Sequence, residues 1–147
     1  MALADDIRQL SEVAIFRHLG DDALRLLAFA AETRLLRRGD VLFREGETSD
    51  GAYFLIAGVI DLKAERDRKP LRLTAPALLG EIALLIDTVR PATATTAAAS
   101  TVRLVTRALF HRVLEESPGS AEKVRAMLVG RISDYAADLA RFANESE

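Results

Sequence analysis

The spacing of hydrophobic positions changes as the chain proceeds. In the first 31 residues apolar side chains recur every three or four positions, the repeat of one face of an α-helix. These positions are Leu10, Val13, Ala14, Leu24, Leu27, Ala28 and Ala31. The pattern predicts two short N-terminal helices, and Asp21 is a candidate cap for the second.

From Glu32 onward, short apolar runs alternate with breaks that contain glycine, which is typical of strands and turns. The glycines stand at positions 39, 46, 51 and 58, and we assign them to turns and bulges. The charged run Lys63–Lys69, closed by Pro70, predicts an exposed hairpin tip. Further strands are predicted at Leu71–Leu73, Ala92–Ala99 and Val102–Thr106. Many short strands favour a β-barrel or a double-sheet jelly roll, because closure removes exposed strand edges.

Helical spacing returns after the last predicted strand. A short helix is expected at Ala108–Glu116, and a break at Ser117–Gly119 precedes a final helix from Ser120 to about Phe142. The final helix carries an apolar stripe of Val124, Met127, Leu128, Ile132, Tyr135, Leu139 and Phe142. That stripe must cover something, either the mouth of the barrel or the same helix of a second subunit.

The fold expectation is therefore mainly β with flanking α. We expect a single domain over residues 1–147, with N-terminal helices at about 1–31, a β-barrel at 32–107 and C-terminal helices at 108–147. A chain of 147 residues, half of them hydrophobic, is long enough for one core and too short for two ordinary domains.

Composition removes several classes of function. The chain has no cysteine, which excludes disulfides, thiolate metal sites and a cysteine nucleophile. Its 20 basic and 22 acidic side chains lack the positive excess of a protein that wraps nucleic acid. The two histidines, His18 and His111, have no neighbouring residues that suggest a catalytic triad. Without cysteine or a suggestive histidine, we expect a protein that is not an enzyme and binds no metal. The N-terminus is acidic and no apolar run approaches about 20 residues, so we expect a cytoplasmic protein.

The segment Leu79–Thr93 carries the most informative chemistry. Gly80 permits a backbone conformation closed to other residues, and the four residues Ile82–Leu85 suit one helical turn whose first amides attract an anion. Arg90 offers a planar fork of donors for the same anion. Glu81, as an acceptor, needs a donor such as a sugar hydroxyl. A phosphate together with a hydroxyl predicts a nucleotide, and a cyclic phosphate on a ribose satisfies both residues.

With these residues in view, the sequence resembles the cyclic-nucleotide-binding domain family, whose members include catabolite-activator-like regulators, kinase regulatory subunits and cyclic-nucleotide-gated channels. The resemblance rests on Arg38–Phe43, Glu45–Glu47, Asp50, Tyr53–Ile56, Gly58, and the cassette Gly80–Leu85 with Arg90–Thr93. It implies that Glu81 binds the ribose 2′-hydroxyl and that Arg90 binds the cyclic phosphate. The implied ligand-binding residues are Leu79, Gly80, Glu81, Ile82, Ala83, Arg90, Pro91 and Ala92. Arg131 and Tyr135 are candidates for a lid over the base.

One residue departs from the family pattern. Where the family places Ser, Thr or Ala after the arginine, this chain has Pro91, which offers neither an N–H nor a hydroxyl to the phosphate.

The main hypothesis is a cyclic-nucleotide sensor, with cAMP as the expected ligand, no other cofactor, and a possible homodimer through the final helix. The alternatives are a ligand-free barrel for dimerisation or protein interaction, in which Glu81 and Arg90 form a structural ion pair, and a transcription factor. Family members that bind DNA carry a helix-turn-helix after the final helix, and the sequence as given ends at Glu147, so we expect no nucleic-acid binding by this chain alone. Without an apolar span, we also expect no membrane binding by this chain alone.

Overall fold

The computed structural model describes residue 8 and residues 16–116, 118–119, 121–127 and 129–130. A 3₁₀ turn at Phe16–His18 leads into helix α1, Asp21–Ala30, and helix α2, Arg107–Glu115, follows the last strand. Between the helices lie the strands β1 Glu32–Leu36, β2 Val41–Phe43, β3 Thr48–Ser49, β4 Gly51–Ala57, β5 Val59–Lys63, β6 Leu71–Thr74, β7 Ala77–Leu79, β8 Thr88–Val89, β9 Thr93–Thr96 and β10 Ser100–Thr106. A second 3₁₀ turn at Glu81–Leu84, named here the cassette turn, separates β7 from β8.

The strands form two four-stranded antiparallel sheets and one small ribbon. The first sheet has the order β1-β10-β4-β7, the second has the order β2-β9-β5-β6, and β3 pairs with β8. Among the described strands, hydrogen bonds do not close the sheets into one ring. The predicted mainly-β fold with flanking helices is thus confirmed in its double-sheet jelly-roll form.

Two hydrophobic cores lie on opposite faces of the first sheet. Strand β4 contributes alternately to both, as Ala52 and Phe54 face the helices while Tyr53 and Leu55 face the second sheet. On the helical side, Phe16 meets the Phe54 ring edge-on at a centroid distance of 6.4 Å. Burial on both faces explains why β4 is an almost continuous apolar run.

Local predictions from the sequence are largely matched by the elements. The exposed hairpin tip lies between Lys63 and Leu71, as predicted. The helix predicted at Ala108–Glu116 is α2, shifted by one residue. The predicted cap Asp21 is wrong, since helix α1 starts at Asp21 and Gly20 occupies the N-cap position. Of the predicted final helix, residues 121–127 and 129–130 are helical, and the remainder lies outside the described residues. The predicted break at Ser117–Gly119 is wrong for Pro118 and Gly119, which are helical, because proline is tolerated in the first turn of a helix.

Gly51 serves a purpose that the turn assignment did not anticipate. It is the first residue of β4, and a Cβ atom at this position would lie 2.7 Å from the Cα of Thr106 on β10. Glycine therefore allows these two backbones to pack closely next to the start of α2. Within the described part of the chain, no helix has the length and apolar character needed to cross a membrane.

Candidate ligand site

The cassette turn begins with a sharp reversal of the chain after β7. Gly80 adopts a left-handed conformation with φ of 78° and ψ of 36°, which residues with a Cβ rarely adopt. The following residues form a 3₁₀ turn in which the amide of Ala83 donates to the carbonyl of Gly80 at 3.1 Å. The amides of Glu81 and Ile82 precede this first hydrogen bond, so the turn itself offers them no acceptor.

The backbone of Arg90 is fixed by the loop that precedes β3. Its N–H donates to the carbonyl of Glu47 at 2.7 Å, and its carbonyl accepts from the N–H of Gly46 at 2.8 Å. Arg90 lies between β8 and β9, so these two bonds align the cassette with the loop on the other side of the site. The position of the Arg90 backbone is therefore fixed relative to that loop.

The guanidinium of Arg90 is buried against two aromatic rings. Its Cζ lies 4.4 Å from the ring centroid of Phe43 and 5.5 Å from that of Tyr53, and the two rings stack with centroids 6.0 Å apart. Only 5% of Arg90 is exposed. The electron-rich ring faces attract the cation and replace part of its lost hydration.

Arg90 nevertheless retains an unsatisfied donor. Its Nη1 atom is buried and has no hydrogen-bond partner among the described residues. Burial lowers the pKa of Arg90, and the nearby Tyr53, Asp50 and Glu47 oppose this change. The described part of the chain contains no ion pair between Arg90 and Glu81, so the predicted structural ion pair does not account for the buried charge. A buried cationic donor without a partner is a favourable position for an anion.

A cavity of about 270 Å³ opens beside Arg90. It is lined by Ser49, Gly80, Glu81, Ile82, Ala83, Thr88, Val89, Arg90 and Pro91. Six of the eight predicted binding residues thus surround one space. Leu79, which is buried opposite Tyr53 in the first sheet, and Ala92, which is half-buried before β9, do not line it. The lid candidates Arg131 and Tyr135 lie outside the described residues.

Three residues that contact the cavity lining were given no role in the site by the sequence analysis. Phe43 and Tyr53 entered it only within the motifs of the family resemblance, and their position against Arg90 has no local signal. Arg107 does leave a signal in the sequence, because a cation in the first turn of a helix opposes the helix dipole and should have another partner. The structure supplies that partner, since Arg107 donates to backbone carbonyls of the cassette.

The comparisons with known proteins agree with this geometry. The family model described as a cyclic nucleotide-binding domain matches residues 33–117, more than half of the chain. A cyclic nucleotide-gated potassium channel of Mesorhizobium japonicum is 31% identical over 124 residues, covering 83% of this chain and 34% of the channel. A cAMP-dependent protein kinase regulatory subunit of Eremothecium gossypii is 28% identical over 100 residues, covering 68% of this chain and 22% of the subunit. The chain therefore spans about a third or less of these relatives.

A solved structure gives the same result. The cyclic nucleotide-binding-like protein of Brucella abortus is 39% identical, with a TM-score of 0.68, and the match covers 76% of this chain and 98% of that one. The chain belongs to the cyclic nucleotide-binding domain family. Its jelly-roll fold and the family resemblance are thereby confirmed.

Proposed function

We propose that this chain binds a cyclic nucleotide in the cavity beside Arg90 and acts as a regulatory sensor module, not as an enzyme. The observation that carries the proposal is the buried guanidinium of Arg90, whose Nη1 faces no acceptor among the described residues. Leaving such a donor unsatisfied is costly, and a phosphate oxygen would satisfy it with a charge-assisted hydrogen bond.

The proposed contacts divide the ligand into a phosphate end and a ribose end. Arg90 holds the cyclic phosphate, and the amides at the start of the cassette turn offer further donors. Glu81 is half-buried at the same cavity and accepts a hydrogen bond from the ribose 2′-hydroxyl. Pro91 is exposed at the cavity and contributes surface without a donor.

The size of the cavity supports a ligand that is only partly enclosed. A volume of about 270 Å³ lies just below the usual range of roughly 300–1,000 Å³ for small-molecule sites. Val89, which lines the cavity, is 53% exposed, so part of the rim of the cavity is apolar. We infer that the phosphate and ribose enter first and that the base remains near this apolar rim.

We take cAMP as the first candidate because one relative is a cAMP-dependent kinase regulatory subunit. Its binding would shift an equilibrium between open and closed forms by its differential affinity for them. The channel and kinase relatives carry other parts beside the matched segment, so the output of this module is proposed to depend on what it contacts.

A thermal-melt titration with cAMP and cGMP tests the proposal. A ligand at 100 times its dissociation constant should stabilise the folded chain by about 2.7 kcal/mol. Arg90→Ala should abolish the shift, whereas Arg112→Ala, on the exposed face of α2, should retain it. No shift with either nucleotide would overturn the proposal.

Such a negative result would favour the second candidate, a ligand-free module for dimerisation or protein interaction. The observation behind it is Pro91, which presents no N–H where a phosphate would need one. Light scattering on the full chain tests the proposed homodimer directly. A monomer at all concentrations would exclude self-association through the final helix.

A further inference from the structure

Arg107 connects the cassette to helix α2 through a set of backbone contacts. Its Nε donates to the carbonyl of Ala83 at 2.9 Å, and its Nη2 donates to the carbonyls of Ser49 at 2.8 Å and Ile86 at 3.0 Å. The same Nη2 lies 3.9 Å from a carboxylate oxygen of Asp87. One side chain therefore holds the cassette turn, the segment after it and strand β3 together.

Arg107 is itself firmly attached at its base. Its backbone N–H donates to the carbonyl of Asp50 at 2.7 Å, and it is the first residue of α2. The preceding residue, Thr106, caps that helix by accepting from the amide of Leu109 at 3.1 Å. Arg107 therefore joins the cassette carbonyls directly to the first turn of α2.

The partners of Arg107 are also elements of the proposed ligand site. Ser49 and Ala83 both line the cavity, and the hydroxyl of Ser49 donates to the carbonyl of Thr88 at 2.8 Å. Arg107 contacts the carbonyls of Ser49, Ala83 and Ile86. Arg90 instead packs against the rings of Phe43 and Tyr53, which belong to the core between the sheets. The two arginines have separate partners, and no interaction joins them among the described residues.

Resting on the proposed function, we propose that Arg107 is a positioning residue that sets the shape of the empty cassette and carries its ligand-driven movement to α2. A guanidinium suits this task because its fixed fork holds several carbonyls in one arrangement, which a single ammonium cannot do. A positive charge is unfavourable at a helix N-terminus, and the contacts of Arg107 with carbonyl oxygens and Asp87 offset this cost.

The test combines hydrogen exchange with cAMP titration on the full chain. In the absence of ligand, Arg107→Ala should raise amide exchange in residues 81–89 and leave β4 and β10 unchanged. In the wild-type chain, cAMP should slow exchange in both residues 81–89 and α2, whereas in the variant only residues 81–89 should respond. The affinity of Arg107→Ala for cAMP should fall about tenfold, because the released cassette would hold its binding-competent shape about a tenth as often. Arg112→Ala on the same helix is the matched control and should match the wild type in every measurement.

The outcomes separate this inference from the proposed function. If the wild-type chain binds no cAMP, the proposed function fails, and the ligand-free exchange experiment still tests the positioning role. Unchanged exchange in residues 81–89 of Arg107→Ala, or an equal rise across β4 and β10, would overturn the inference. If that variant does not fold, Arg107→Lys replaces it, with faster exchange of residues 81–89 expected and wild-type exchange contradicting the proposal.

Discussion

Gly80 leaves the space that the guanidinium of Arg90 occupies. A Cβ atom at position 80 would overlap Nη1 of Arg90 and would lie 3.6 Å from its Cζ. The glycine thus has two roles, because it turns the chain in a left-handed conformation and admits the cation to the cavity wall. Gly80 and Arg90 are consequently interdependent.

Gly80→Ala is expected to damage binding more than folding. The left-handed backbone should cost about 1–2 kcal/mol of stability, and displacement of Arg90 should weaken cAMP binding at least tenfold. Gly39→Ala is the control, since Gly39 has a φ of 89° and a Cβ added there would have no atom within 4 Å. It should lose similar stability and keep its affinity. Equal affinity of the two variants, measured by calorimetry, would contradict the role assigned to Gly80.

Phe43 should orient Arg90 through its ring. Phe43→Leu removes a cation–π contact worth about 0.5–2 kcal/mol, and we expect cAMP affinity to fall about twofold to thirtyfold. Tyr53→Phe keeps its ring and loses only the hydroxyl that accepts from Nη1 of Arg34 at 3.0 Å. That control should bind like the wild type, with a stability loss of about 1 kcal/mol. Wild-type binding by Phe43→Leu would show that the ring has no part in placing the cation.

Pro91→Ala should improve binding. The substitution restores a backbone N–H at the edge of the cavity, and one further hydrogen bond to a charged phosphate should increase cAMP affinity about tenfold. The loss of proline stiffness should lower stability by up to about 1 kcal/mol. Pro70→Ala, at the exposed hairpin tip, should show the same kind of stability cost with unchanged affinity. An affinity of Pro91→Ala at or below the wild-type value would indicate that the phosphate does not reach position 91.

Glu81 and the ribose 2′-hydroxyl can be paired in a double-mutant cycle. Replacing cAMP by 2′-deoxy-cAMP should weaken binding to the wild type about tenfold or more, because the carboxylate loses its donor. The same replacement should have little effect on Glu81→Ala, which has already lost the acceptor. Titration calorimetry of the four combinations gives the coupling. Additive losses would place the hydroxyl away from Glu81.

Much of the cassette was accessible from the sequence because its chemistry is local. Gly80, Glu81 and the turn that follows lie within a few residues, and the left-handed conformation expected of the glycine is the one observed. The jelly-roll fold could also be predicted from the sequence, since breaks that contain glycine delimit many of the strands. The cap at Asp21 was misassigned because a residue favourable at the N-cap is also favourable in the first helical turn, where its charge meets the helix dipole.

The sequence by itself therefore determined most of the strands and helices and the charged groups of the site, as hydrophobic spacing and turn chemistry act over short distances. The short strands β7 and β8, on either side of the cassette turn, were not predicted. Only the tertiary structure decided what surrounds those groups. Arg90 meets Phe43 and Tyr53 because β2 and β4 belong to facing sheets, and Arg107 reaches Ser49 across 58 positions of sequence. Such contacts arise from strand pairing and sheet packing, which bring together residues that no local pattern relates.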